Sequence, residues 1–377
     1  MKRALLALAV LAGTAAAQEP ATITIRKGEA TSVALAAFGG GDGPLATKTL
    51  QQDLEISGLF SIQPPERASY KISGQAGGGS LEGRVVDGRG DTVLQKTYRD
   101  NPRRAAHLFA DDIVSTLTGQ KGIASSKIAF VANRSGRKEI YLADYDGANV
   151  QQLTKDGSIS VAPAISPDAT KLAYTGYQSG YADIYLVDLA SGARRPLVKF
   201  PGTNSGAAFS PDGGRIACSV SRDGNPELYV VSLGGGARRL TKTRGVESSP
   251  TWSPDGGEII YSSDTGGSPQ LFRISASGGS STPVGTGFGY STEPSWSPDG
   301  KKLAFTARTG GFSIVVKNLA NGATQTVASG EDPAWGANSR HLVYSDGSRI
   351  VLVDTVSGRQ FPVISGLGKV SEPSWSR

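Results

Sequence analysis

The sequence predicts a mainly β protein, a six-bladed β-propeller preceded by a small α/β domain. Three observations carry this expectation. "SPDATKLAY" begins at 166, "SPDGGRIAC" at 210, "SPDGGEIIY" at 253 and "SPDGKKLAF" at 297, so one unit recurs every 43 or 44 residues. A fifth, degenerate copy, "GANSRHLVY", begins at 336, and the chain ends on "PSWSR" at 373–377, which stops where the next copy would turn. Fifty glycines in 377 residues, with few aromatics, suit short strands joined by many turns.

The opening residues, "MKRALLALAVLAGTAAAQEP", place Lys2 and Arg3 before an apolar run from Ala4 to Ala12 and a small-residue stretch. That order reads as a secretory signal peptide over 1–17, cleaved after Ala17. The run is too short to span a bilayer, which takes ~20 apolar residues, and no cysteine follows it to carry a lipid. The expectation is an exported, soluble chain of 360 residues (377 − 17). Cys218 is the only cysteine, so no intramolecular disulfide can form and a buried core must supply stability. Losing Lys2 and Arg3 lowers the formal charge from +6 to +4 (6 − 2), with no dense basic run, and nucleic acid is not an expected partner.

Residues 18–123 lack the repeat and read as an α/β domain. Strand candidates are "ATITIR" at 21–26, "TSVALAAF" at 31–38, "ASYKISG" at 68–74, "LEGRVVD" at 81–87 and "TVLQKTY" at 92–98. A first helix is expected over about 45–57, between Pro44 and Gly58. A second is clearer. Asn101 can cap it, Pro102 suits its first turn, Ala105, Phe109, Ile113 and Leu117 recur at helical spacing, and Gly119 stops it. The linker falls near 119–125, and the propeller is expected over 124–377.

The repeat unit fits a four-stranded antiparallel blade. In "SPDG", proline suits the second position of a type I turn and glycine the fourth, joining two strands tightly. In the strand that follows, Lys171, Arg215, Glu258, Lys302 and His341 share a polar slot, and Leu172, Ile216, Ile259, Leu303 and Leu342 the apolar slot after it. A bulky residue ends the strand before each turn: Ile165, Phe209, Trp252, Trp296 and Trp335, with Trp375 at the terminus. The first unit, at 127–154, has no such strand before it, and the terminus has one with nothing after it. "EPSWS" at 372–376 is therefore expected to pair beside Lys127–Ala132 and close a ring of six blades, which removes a free sheet edge. An open array of strands would leave Trp375 unpaired.

Catalytic signatures are missing. There is no G-x-S-x-G elbow and no zinc-type ligand cluster. His107, off the apolar stripe of its helix, and His341, in the polar slot, read as surface residues, and Cys218 as a core residue in a Tyr/Phe slot. The aspartates of "SPDG" read as turn formers. Four acids, Glu293, Glu331, Asp332 and Glu372, are expected to precede the inner strands, near their proline slot, with Glu247 nearby. At one mouth of the channel they could attract a basic partner segment or hold a hard cation such as calcium, or serve only as solvated loop charges.

This combination of an exported α/β domain, the junction "RRAAHLFADDIVSTLTGQKGIASSKIAFVA" at 103–132 and six "PxWSPDGxKLAF"-like units resembles the TolB family of the Tol–Pal system. The stretch "ASYKISGQAGGGSLEGRVVD" departs from the family's usual strand, being short and glycine-rich. The resemblance implies a monomeric, non-enzymatic periplasmic adaptor without a cofactor. It would bind the lipoprotein Pal through the propeller face and TolA through the amino-terminal segment, supporting outer-membrane integrity and constriction at division. By position, "FPGTNSGAAFS" at 200–210 resembles a Pal-contact loop, with Thr203 where a histidine often stands and with Asn204 kept, and "GVESSPTW" at 245–252 resembles its neighbour and points to Ser248. For TolA the implied segment contains Gln18, Glu19, Ile23 and Ile25, whose alternation suits a strand added to a partner's sheet or one in the domain's own sheet. The other expectation is a periplasmic propeller that binds a small ligand, glycan or cation in its channel, with or without lyase or hydrolase activity.

Overall fold

The computed structural model describes residues 30–376, so the leader, Gln18, Glu19 and the candidate strand with Ile23 and Ile25 lie outside the described residues. The first domain consists of β1 (Thr31–Leu35), α1 (Gly43–Ser57), β2 (Phe60–Ile62), β3 (Tyr70–Gly77), β4 (Ser80–Asp87), β5 (Thr92–Arg99) and α2 (Pro102–Thr118). Its sheet runs β2-β1-β3-β4-β5, with β1 parallel to β2 and β3 and the other pairs antiparallel. The three-residue β2 carries no alternation long enough to be read from sequence. Asn101 caps α2 by accepting the Arg104 N–H at 2.9 Å, and Gly119 ends it in the left-handed conformation.

The glycine-rich stretch forms a regular hairpin. Gly78 and Gly79 make the turn with φ of 61° and 76°, the left-handed pair that a two-residue hairpin favours. Gly74 and Gly83 face each other across the strands. A Cβ on Gly74 would sit 2.5 Å from the Phe38 ring, and one on Gly83 2.5 Å from Phe109. The missing side chains let these two rings, 6.2 Å apart, lie directly on the sheet.

The rest of the chain forms six four-stranded sheets. Blade 1 combines Val370–Trp375 with Lys127–Ala132, Glu139–Asp144 and Gln151–Gln152, so its innermost strand comes from the carboxy terminus. Blades 2 to 6 begin with inner strands Ser160–Ile165, Asn204–Phe209, Glu247–Trp252, Ser291–Trp296 and Glu331–Trp335. The chain is thus a closed six-bladed propeller behind a small α/β domain. Leu172, Ile216, Ile259, Leu303 and Leu342 are fully buried, as their slot requires. Trp252 and Trp335 donate their indole N–H to the preceding blade, to the carbonyls of Ala208 and Ser295, each at 3.0 Å. Trp375 donates to Ser126 Oγ at 2.7 Å. In the "SPDG" turns the serine hydroxyl donates to the aspartate, at 2.6 Å in Ser166–Asp168 and Ser297–Asp299. The Ser166 hydroxyl and the Thr170 N–H hold Asp168 down at about 2, so this aspartate is spent on its turn.

Both histidines are buried, contrary to the sequence expectation, because the first domain packs on blades 1 and 6. One apolar core runs through Leu54, Phe109 and Ile113 into Tyr145, Val343, Leu352 and Trp375. His107 is only 2 % exposed. Its helix is buried on two faces, with Phe109 on the sheet while His107 Nδ1 meets Asp53 of α1 at 2.8 Å, so a single apolar stripe understates its burial. His341 is fully buried under the end of α1.

Candidate functional site

Each inner strand carries one irregularity, at the same place. The pairing of inner and second strand shifts register there, a β-bulge. The bulged residue is left-handed in every blade: Ala162 (φ 49°), Gly206 (64°), Ser249 (49°), Glu293 (52°), Asp332 (59°) and Glu372 (55°). Proline follows in five of the six, and Ala207 follows Gly206. Proline has no N–H to donate, so it fits a place where the ladder is already interrupted. These six residues ring one end of the channel and line a cavity of about 510 Å³.

Three successive ring positions are acidic, and their side chains reach from blade to blade. Glu293 Oε2 accepts the Asp332 N–H at 3.0 Å and the Thr306 hydroxyl at 2.7 Å. Asp332 Oδ2 accepts the Glu372 N–H at 2.9 Å, and Glu372 Oε2 accepts the Ala162 N–H at 2.6 Å. Across the ring, the Thr175 hydroxyl takes the corresponding Gly206 N–H at 3.2 Å. One oxygen of each acid therefore ties neighbouring blades together, a role that sequence reading did not assign. Burial, and then the facing charges of Glu293 and Glu372, push the Asp332 carboxyl well above the usual range. Burial and Glu293 raise exposed Glu331 at the rim as well. Lys138 Nζ lies 3.9 Å from Glu372 Oε1. The mouth is acidic on one half and neutral on the other, where Ala162, Gly206 and Ser249 stand.

The cavity lining contains no imidazole, thiol, amine or phenol. Its serines have no histidine to activate them, and the acids are the groups that can bind a cation or exchange a proton. Glu293, Glu331, Asp332 and Glu372 all reach this mouth, within the inner strands rather than ahead of them. Thr203 is exposed on the loop entering blade 3, and half-buried Ser248 adjoins the ring residue Ser249.

Asn204 and Glu247 offer a partner no side chain, because both are fully buried. Asn204 donates to the Phe200 carbonyl at 2.8 Å and closes its own loop. Glu247 Oε1 accepts from Ser263 at 2.7 Å and Thr243 at 2.8 Å, and burial raises its pKa. The sequence reading overlooked Ala162, Gly206 and Ser249. Their signal was the slot three residues before the bulky residue that ends each inner strand, which aligns with the acids in every repeat.

A closed fold of this kind, with four acids at one mouth of its channel, defines a six-bladed β-propeller with an acidic mouth. A family model described as the TolB beta propeller domain matches residues 114–377, more than two thirds of the chain, and the chain belongs to that family. A Tol-Pal system protein TolB from Geobacter metallireducens is 36 % identical over 165 residues, 34 % of this chain and 38 % of that protein. A TolB homologue from Chlorobaculum tepidum is 41 % identical over 120 residues, 31 % of this chain and 28 % of its own length. The matched segments thus span well under half the length of these curated relatives. The crystal structure of TolB from Acinetobacter baumannii superposes with a TM-score of 0.81 at 27 % identity, covering 92 % of this chain and 97 % of that one. Among the described residues, no helix is long and apolar enough to cross a membrane.

Proposed function

We propose that this protein is a non-enzymatic periplasmic adaptor of a Tol–Pal system. It binds the peptidoglycan-associated lipoprotein Pal at the acidic propeller mouth and TolA through its amino-terminal segment, supporting outer-membrane integrity and constriction at division. The observation that carries this reading is the half-ring of Glu293, Asp332 and Glu372, an acidic patch at the mouth of a channel whose lining has no histidine or thiol, in a chain of the TolB family. Exposed Thr203 and neighbouring Ser248 extend the contact surface beyond the ring. The same carboxylates favour a second reading, a hard cation such as calcium in the channel.

The test is titration calorimetry of residues 18–377 against the soluble domain of Pal from the same organism, beside the Glu293→Gln/Glu372→Gln double variant. Glutamine keeps an oxygen to accept the neighbouring blade's N–H while removing the charge. Saturable one-to-one binding, weakened in the variant and more so at low salt, is expected. No binding by folded protein would overturn the Pal assignment, and calcium uptake lost in the variant would favour the second reading.

A further inference from the structure

A second cluster of chemistry lies away from the channel, in the joint between the domains. Asp53 comes from α1, His107 from α2 and Asp146 from the turn after the Glu139–Asp144 strand of blade 1. One ligand atom from each lies within 4.8 Å of the other two. Asp53 is 3 % exposed, His107 2 %, and the Asp146 side chain 2 %.

A further observation points to a missing cation: the local charges fail to balance. Asp144 is paired with Lys127 and lies 3.8 Å from Arg103 Nε, and Asp146 is paired with Arg103 Nη2. Asp53 meets only the Tyr145 hydroxyl, at 2.7 Å, and the imidazole. Three carboxylates thus face two fixed cations beside one imidazole.

We propose that Asp53, His107 and Asp146 form a site for a first-row divalent cation of the zinc type, which clips the α/β domain to blade 1. One imidazole and two carboxylates suit zinc or manganese better than calcium, which prefers an all-oxygen shell. The 2.8 Å between His107 Nδ1 and Asp53 Oδ2 is close to the roughly 3 Å that separates adjacent ligands on an ion with bonds of about 2.0–2.2 Å. Tyr145, on Asp53, and Arg103, on Asp146, hold the ligands from outside, as second-sphere groups do. Because the ligands come from both domains, the ion stabilises their junction by mass action.

The experiment takes chelator-treated protein, residues 18–377, and titrates it with Zn2+ by calorimetry, with thermal melts alongside. The variants are His107→Gln, Asp146→Asn and the channel double variant Glu293→Gln/Glu372→Gln. The expected result is one equivalent of Zn2+, a raised Tm, affinity at least about tenfold weaker in both joint variants and unchanged in the channel variant. Should His107→Gln fail to fold, Asp146→Asn decides, since its isosteric amide still receives Arg103. No saturable binding at millimolar Zn2+, or binding kept in Asp146→Asn and lost in the channel variant, would overturn the proposal.

Discussion

His341 makes the protein sensitive to mild acid. Asn338 Oδ1 accepts the backbone N–H groups of Arg340 and His341, at 3.1 Å each, so its amide nitrogen is the donor to His341 Nδ1 at 2.9 Å. The proton of the neutral ring therefore sits on Nε2 and is donated to the Ile56 carbonyl at 3.2 Å, the end of α1. Burial pulls the His341 pKa from 6.5 down to about 4. Between those values the unfolded chain binds the proton and the folded chain does not. Stability is then complete above pH 6.5 and is lost as pH falls toward 4, with no further loss from this group below that. The difference of 2.5 (6.5 − 4), at 1.36 kcal/mol each, amounts to about 3 kcal/mol. Urea midpoints followed by circular dichroism at neutral pH and at about pH 4.5 measure the loss, and His341→Gln, which cannot titrate, removes this share of it. Carboxylates titrate in both proteins and cancel in the comparison. Equal acid sensitivity in wild type and His341→Gln would refute the reasoning.

Two further outcomes follow from the ring. Trp375→Ala removes a buried ring and its bond to Ser126 at the closing blade, and should cost about 3–5 kcal/mol in urea unfolding; a near-neutral result would mean that the terminal strand does not close the propeller. Ala162 is the one ring residue with a left-handed backbone and neither a polar side chain nor a glycine's freedom. Ala162→Gly should stabilise by up to about 1 kcal/mol, read as a raised urea midpoint, and destabilisation would argue against the bulge geometry.

The blades were legible because each carries a period-2 strand after a turn with strong sequence chemistry, and because Trp375 repeats a slot filled by Trp335 one unit earlier. Helix α2 was legible from Asn101, Pro102 and Gly119. What sequence could not show was tertiary. His341 sits in a strand slot that is half-buried in blades 2 to 5, as Lys171, Arg215, Glu258 and Lys302 show, and only the docking of α1 buries it in blade 6. The site divides the same way. Glu293, Asp332 and Glu372 were visible as acids before proline, whereas Asn204 and Glu247 look equally polar in sequence and are claimed by local hydrogen bonds within the fold.

The acids of the mouth occupy places that the fold would fill more easily with glycine. A left-handed backbone costs a residue with a side chain about 1–2 kcal/mol, and Gly206 shows that the ring accepts glycine. Against this cost, each acid gains a hydrogen bond to the next blade, of about 1–3 kcal/mol according to the charge on its carboxyl. The two nearly offset, so ring closure alone gives little net reason for acids here. The charges also oppose one another, since Glu293 and Glu372 both raise Asp332. Strain and like-charge repulsion gathered at one channel mouth are what a binding surface tolerates and a purely structural seam avoids. Replacing carboxylate by amide leaves the seam and removes the field, which is why the glutamine variants, rather than alanine, separate the proposed partner surface from its scaffold.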